Sequence, residues 1–214
     1  MKKLLLISTA LTAVSSGAFA FETNIGDISP YVSGRIGLQI LTADGADQSA
    51  TGSVKAGAIG ARWKGEELNL RGEFEFSNGT YVNYGEDADI VNGSNVVIGH
   101  VSFPEEYKMN TYMLNAYADF FTNYKIKPYV GAGIGAASTD VKLWVEERIG
   151  SLDMVKIPVA EFSKNSFIYG IYGGIGFDVI TGLAVDLGVR YNAFTIEKVD
   201  LSMVSVNAGA RLTF

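Results

Sequence analysis

Glu73 and Glu75 stand two residues apart in "LNLRGEFEFS", Leu68 to Ser77. On an extended strand they would share one face at roughly 7 Å, a spacing found between the two carboxyls of inverting glycosidases. Two glycine clusters, Gly131-Ala-Gly133-Ile-Gly135 and Gly173-Gly174-Ile-Gly176, have the density of phosphate-cradling loops. Neither has dinucleotide-motif spacing followed by a helix, so that chemistry fails. His100 is the only histidine and there is no cysteine, which excludes multi-histidine and thiolate metal sites. The stretch Asn78–Lys108 carries Glu86, Asp87, Asp89, Glu105 and Glu106. It lacks calcium-loop spacing and reads as a solvated acidic loop. No cofactor is expected.

The elements that would hold these residues repeat with a period of two. Leu68, Leu70, Phe74 and Phe76 oppose Asn69, Arg71, Glu73 and Glu75, an alternation only a strand produces. The same pattern sets Ile36, Leu38 and Ile40 against Arg35, Gly37 and Gln39, and Leu114, Ala116 and Phe120 against Asn115, Tyr117 and Asp119. It continues through "PYVGAGIGAA", "FIYGIYGGIGFDV", "LAVDLGVRYNA" and "VSVNAGARLTF". A further strand near Ser53–Trp63 is poorly phased, because Lys55 and Arg62 fall on opposite parities; a bulge would reconcile them. This predicts about eight strands of roughly ten residues, the length of a tilted membrane strand.

The connections alternate between short links, "KGEE", "TNYKIK" and "TG", and long ones at 41–52, 78–108, 138–165 and 194–201. Membrane barrels have this asymmetry, with tight periplasmic turns and long external loops. Residues 1–20 have the form of a secretory signal peptide: Lys2 and Lys3, an apolar run from Leu4 to Val14, and Ala18-Phe19-Ala20 as a small-x-small cleavage pattern. The expected mature domain is 21–214. Loss of Lys2 and Lys3 takes the formal charge from −6 to −8, which argues against nucleic acid as a partner.

Parity alone fits either a soluble barrel, oily inside, or a membrane barrel, oily outside. The polar parity decides. It mixes glycines with Arg35, Arg71, Arg190 and Arg211, and with Glu73, Glu75, Asp119, Asp178 and Asp186. Arginines balanced by carboxylates and spaced by glycine suit a narrow interior in which ions must pair. The nine charged residues are therefore expected to form a structural ion-pair network in a filled lumen, beyond the reach of a sugar. The glycines leave room for large lumen neighbours and for strand bending. Trp63, Tyr112, Phe120, Phe167 and Tyr191 lie near strand ends, where aromatic girdles meet headgroups.

"PYVGAGIGAA", "YGIYGGIGFDVITGLAVDLGVRYNAF" and the terminal "NAGARLTF" closely resemble the small outer-membrane β-barrel proteins of Gram-negative bacteria. These are the opacity-protein and surface-antigen type, akin to the barrel half of OmpA. The resemblance implies an all-β, eight-stranded antiparallel up-and-down transmembrane barrel. It implies variable surface loops and a terminal Phe214 read by the barrel-assembly machinery; the chain departs from full-length OmpA-like proteins in that no peptidoglycan-binding domain is expected after the barrel. The implied partners are outer-membrane lipid and lipopolysaccharide, with a host or surface ligand at the loops. "HVS", His100-Val101-Ser102, resembles the H-x-S pair of the barrel lipid A deacylases, in which an acid completes a Ser-His relay. In that family the pair sits on a strand facing lipid; here it is expected inside a long loop. The resulting expectation is a non-enzymatic outer-membrane barrel whose loops serve adhesion, host contact or envelope integrity. A lipid A-modifying enzyme and a soluble periplasmic ligand-binding barrel are the alternatives.

Overall fold

The computed structural model describes residues 28–44, 49–66, 68–83, 87–91, 97–102, 105–149, 155–196 and 199–214. The expected signal peptide, 1–20, lies outside these residues. Eight long antiparallel strands form the wall: β1 (Ile28–Ala43), β2 (Ser49–Trp63), β3 (Leu68–Asn83), β6 (Glu105–Phe120), β7 (Ile126–Ile149), β8 (Val155–Ile180), β9 (Leu183–Ile196) and β10 (Val199–Thr213). Two short strands, β4 (Asp87–Val91) and β5 (Val97–Ser102), make a hairpin beside the far end of β7.

Each wall strand pairs with its chain neighbours, and β1 pairs with β10 from Tyr31↔Thr213 to Ala43↔Leu201, so the sheet closes. Closure leaves no unpaired edge within the wall, the condition for strands to cross hydrocarbon. The register also fixes the dimensions. From Ile36, one way round through Lys55, Asn78, Asn110 and Ser138 leads to Asn165 on β8. The other way, through Ala208 and Leu187, leads to Ile175, a stagger of ten residues. Eight strands so staggered tilt by about 40° and enclose a radius near ~8 Å, a space that side chains fill.

The turns lie together with the outer ends of β1 and β10. Thr181-Gly182 joins β8 to β9, and Gly182 takes φ 83°, open to glycine without a Cβ penalty. Its carbonyl accepts from the Thr213 amide at 2.7 Å. In the β6–β7 turn, Phe121 adopts φ 55° and stacks edge-on with Tyr124 at 6.3 Å. The Thr122 hydroxyl donates to the Glu66 carbonyl at 2.7 Å, tying that turn to its neighbour.

Outward side chains above these turns are apolar: Leu38 is 74% exposed, Ile59 64%, Leu114 62% and Val206 63%. A soluble protein would not present such a continuous belt. Aromatic side chains border it. Trp63 and Phe120 lie at the turn end, and Phe76, Tyr112, Phe167 and Tyr191 at the other, all exposed; Phe76 and Tyr112 touch across strands at 5.2 Å.

Two sequence expectations need correction. The strands are longer than about ten residues, running from 14 in β9 to 26 in β8. Much of the expected long loops is strand that continues beyond the belt, because alternation persists there with the faces exchanged. The second strand needs no bulge: its pairings to β1 and β3 run without a register shift. Arg62 faces the lumen, while Lys55 faces out beside Asn78, two residues beyond the girdle residue Phe76. Lys55 therefore sits at headgroup height, where a charge is tolerated.

A depth-dependent cost follows. Leu114→Arg, at mid-belt, should destabilise the folded barrel by about 2–4 kcal/mol, and Asn110→Arg, beyond the girdle, by about 0–1 kcal/mol. Urea unfolding from lipid vesicles measures both.

Candidate functional site

The lumen has two zones. In the half nearer the turns, inward positions are charged, tyrosyl, amide or small. Glu75, 1% exposed, accepts two bonds from Arg190 Nη1 at 3.0 and 3.1 Å and one from Arg35 Nη1. Glu73, one inward position nearer the turns, accepts from the hydroxyls of Tyr117 (2.8 Å) and Tyr31 (2.9 Å) and from Asn115 Nδ2 (3.3 Å). Arg190 Nη2 donates to the Tyr117 oxygen at 2.9 Å, so Tyr117 relays between the two carboxylates.

A second tier lies closer to the turns. Arg71 donates through Nε and Nη2 to Asp119 Oδ1 at 2.9 and 2.8 Å. Arg211 approaches Asp119 Oδ2 at 3.6 Å and donates to Asp186 Oδ1 at 3.2 Å. Tyrosine faces cover the guanidiniums: Arg190 sits 3.6 Å from the Tyr172 centroid and Arg71 4.5 Å from that of Tyr117. Such contacts help compensate cations withdrawn from bulk water.

The structure thus brings eight of the nine expected residues into two linked tiers of four arginines and four carboxylates. Glu73 enters through neutral donors rather than through an ion pair of its own. Asp178 stands apart. It is half exposed at the turn-end mouth, paired with Lys127. The inward tyrosines Tyr117, Tyr129 and Tyr172, on the polar parity, have no counterpart in the expected ion-pair network. Their signal was the inward glycines. A Cβ on Gly131 would meet the Tyr117 ring at 2.4 Å, and one on Gly188 would meet the Tyr129 hydroxyl at 2.2 Å. The rings occupy the volume that those glycines leave.

The space left within the charged zone is about 50 Å³, bordered by Arg35, Arg71, Glu73 and Tyr129 among others. That holds a water or two. It is no channel for a sugar, so Glu73 and Glu75 cannot act as a glycosidase pair.

Farther from the turns the polarity of the wall reverses. Inward positions become Leu41, Tyr81, Met109, Val141, Phe194 and Met203, all at most 7% exposed. Outward positions at this height become Thr42, Thr51, Ser53, Asn78, Lys108 and Asn165. The boundary inside the barrel is a bond from the Tyr81 hydroxyl to Gln39 Oε1, with Met203 Sδ 3.1 Å from the Tyr81 oxygen.

His100 and Ser102 are not in an irregular loop as expected. They lie on β5, with His100 registered between Asp89 of β4 and Arg148 of β7, and Ser102 between Asp87 and Glu146. This hairpin projects beyond the barrel ladder and is not one of the eight lipid-facing strands.

A family model described as "Outer membrane protein beta-barrel domain" matches residues 6–211. The chain belongs to that family. It is an integral outer-membrane protein, so the turns face the periplasm and the polarity-reversed end faces outward. A Brucella abortus (strain 2308) protein of uncharacterised function is 30% identical over 101 residues, which is 44% of this chain and 36% of that protein. Outer membrane protein PagN of Salmonella typhimurium (strain LT2) is 28% identical over 99 residues, 43% of this chain and 37% of PagN. The matches span little more than a third of these curated relatives. Among solved structures, Neisserial surface protein A is similar at TM-score 0.55 and 20% identity, over 88% of this chain and 100% of that one; the two share the eight-stranded barrel fold.

The buried tiers generate a stability prediction. Glu75→Gln leaves Arg35 and Arg190 without their shared counter-charge and should cost about 3–5 kcal/mol. It reads out as a lower urea midpoint for loss of heat-modifiable gel migration.

Proposed function

We propose that this protein is a non-enzymatic outer-membrane surface protein whose extracellular strands contact structures outside the cell, for adhesion, host contact or envelope integrity. The observation that carries the reading is where the chain invests its ordered length. β7 and β8 continue their pairing beyond the membrane as far as Glu147↔Val155, and the β4–β5 hairpin joins β7 there through Gly99↔Ile149 to Ser102↔Glu146. Together they make a four-stranded sheet that extends the wall beyond the girdle. The packed charged zone below leaves this extension as the surface for contact.

Other contacts fit the same reading. Lys55 and Lys108 face out beyond the Phe76–Tyr112 pair, at the height where lipopolysaccharide phosphates would meet ammonium groups. The Phe214 amide donates to the Pro30 carbonyl at 2.9 Å, prolonging the β1–β10 seam. This supports a role for Phe214 as the residue that the barrel-assembly machinery reads. The lipid A-modifying alternative is disfavoured by the place of His100 and Ser102 on a hairpin outside the lipid-facing wall.

Two experiments test the proposal. Excision of residues 87–102 should leave heat-modifiable migration intact while reducing attachment of expressing cells to epithelial monolayers or matrix proteins by severalfold. Attachment equal to wild type would remove the platform from the function. His100→Ala and Ser102→Ala should leave the lipid A acylation pattern unchanged by mass spectrometry; loss of a deacylated species would establish an enzyme instead.

A further inference from the structure

Charge pairing in the lumen leaves one cation over at the turn end. Arg62 stands opposite Arg71 in the β2–β3 register, both facing inward, and like charges so placed repel. Arg71 is compensated by Asp119. Arg62 is not. The other carboxylate acting on it, Asp178, is paired with Lys127. Among the described residues no acceptor reaches Arg62 Nε, although that atom is buried. Arg211, the cation that acts most strongly on Arg62, likewise buries Nε without an acceptor. A buried donor left unpaired is costly, so this end of the lumen is short of negative charge. Arg62 borders a cavity of about 470 Å³ to which all three turns contribute, through residues such as Lys64, Asn123 and Thr181. Lys64 is exposed and, like Arg62, has no ion pair among the described residues.

We propose that this periplasmic vestibule binds the phosphate group of a small soluble anion, with the Arg62 guanidinium as principal donor and Lys64 beside it. The planar fork of arginine matches phosphate oxygens, and two cations without partners favour a dianion over a carboxylate. Asn123 and Thr181 supply neutral donors at the same rim. Asp178 is the one carboxylate among the described residues that borders the cavity, and Lys127 offsets it. Arg62 faces inward, within the ring of turns, whereas lipid headgroups lie outside the wall, so a solute reaches it before a lipid does. The site opens on the opposite side of the membrane from the extracellular strands and does not depend on their function.

Gly65 and Gly182 border the cavity and serve as reporters. With the full chain refolded in phosphate-free maltoside micelles and its glycines nitrogen-15 labelled, inorganic phosphate titrated against chloride at matched ionic strength should shift both amide signals saturably. Acetate should not. Arg62→Gln should weaken phosphate about tenfold and Lys64→Gln about threefold. Lys125→Gln, exposed in the β6–β7 turn but not bordering the cavity, should change nothing. Because Arg62 lacks a partner, Arg62→Gln should leave the urea midpoint unchanged or higher, and phosphate should raise that midpoint more in the wild type than in the variant. Shifts that do not saturate, that acetate reproduces, or that persist in Arg62→Gln would overturn the site, and a lower midpoint in that variant would make Arg62 structural instead. In phosphatidylglycerol nanodiscs, glycine signals already shifted before free phosphate is added would assign the anion to lipid headgroups and overturn the soluble ligand.

Discussion

Hydrocarbon offers no hydrogen bonds, so every amide and carbonyl of a crossing strand must find its partner in the next strand. For this chain the requirement is met by one closed ladder in which β10 returns to β1. With eight strands and a stagger of ten residues, closure sets a radius too small for a channel and too large to stay empty. The rest of the interior answers that geometry. Large side chains must enter the lumen, and because the outer face is given to lipid, the inner face carries the polar groups.

Polar groups so enclosed must satisfy one another. Four arginines and four carboxylates balance in charge, and tyrosines supply both hydroxyl donors to Glu73 and ring faces to the guanidiniums. Buried ion pairs roughly offset their own desolvation, so the network matters most when one partner is removed and its counter-charge is left buried alone. The charged zone these groups fill keeps only about 50 Å³ of open space, room for a water or two and not for a sugar.

How much of this was legible follows from the period of the strand. Alternation at Leu68–Ser77 and Leu183–Asn192 named the faces, and the company kept by Arg35, Arg71, Arg190 and Arg211 named the inner one. The sequence could not show that Glu73 would be held by tyrosines, because that depends on which strands meet across the lumen, from Tyr31 on β1 to Tyr117 on β6. Lys55 is out of phase only when parity is taken without depth: the same outward position is costly at mid-belt and ordinary at the headgroups. The expected loops at 78–108 and 138–165 hid strand for the same reason. Above the membrane the oily parity turns inward, so a search for the membrane pattern stops at the girdle. For the same reason His100 and Ser102 read from sequence as loop residues although they lie on β5.

The seam between β1 and β10 carries a consequence for biogenesis. Contacts such as Ile36↔Ala208 span nearly the whole described sequence, which places their formation late and makes it slow. Until β10 arrives, β1 exposes a long row of unpaired amides, a template for aggregation with sister chains. A chain cut before β10 therefore lacks the strand that closes the sheet and keeps the β1 edge open.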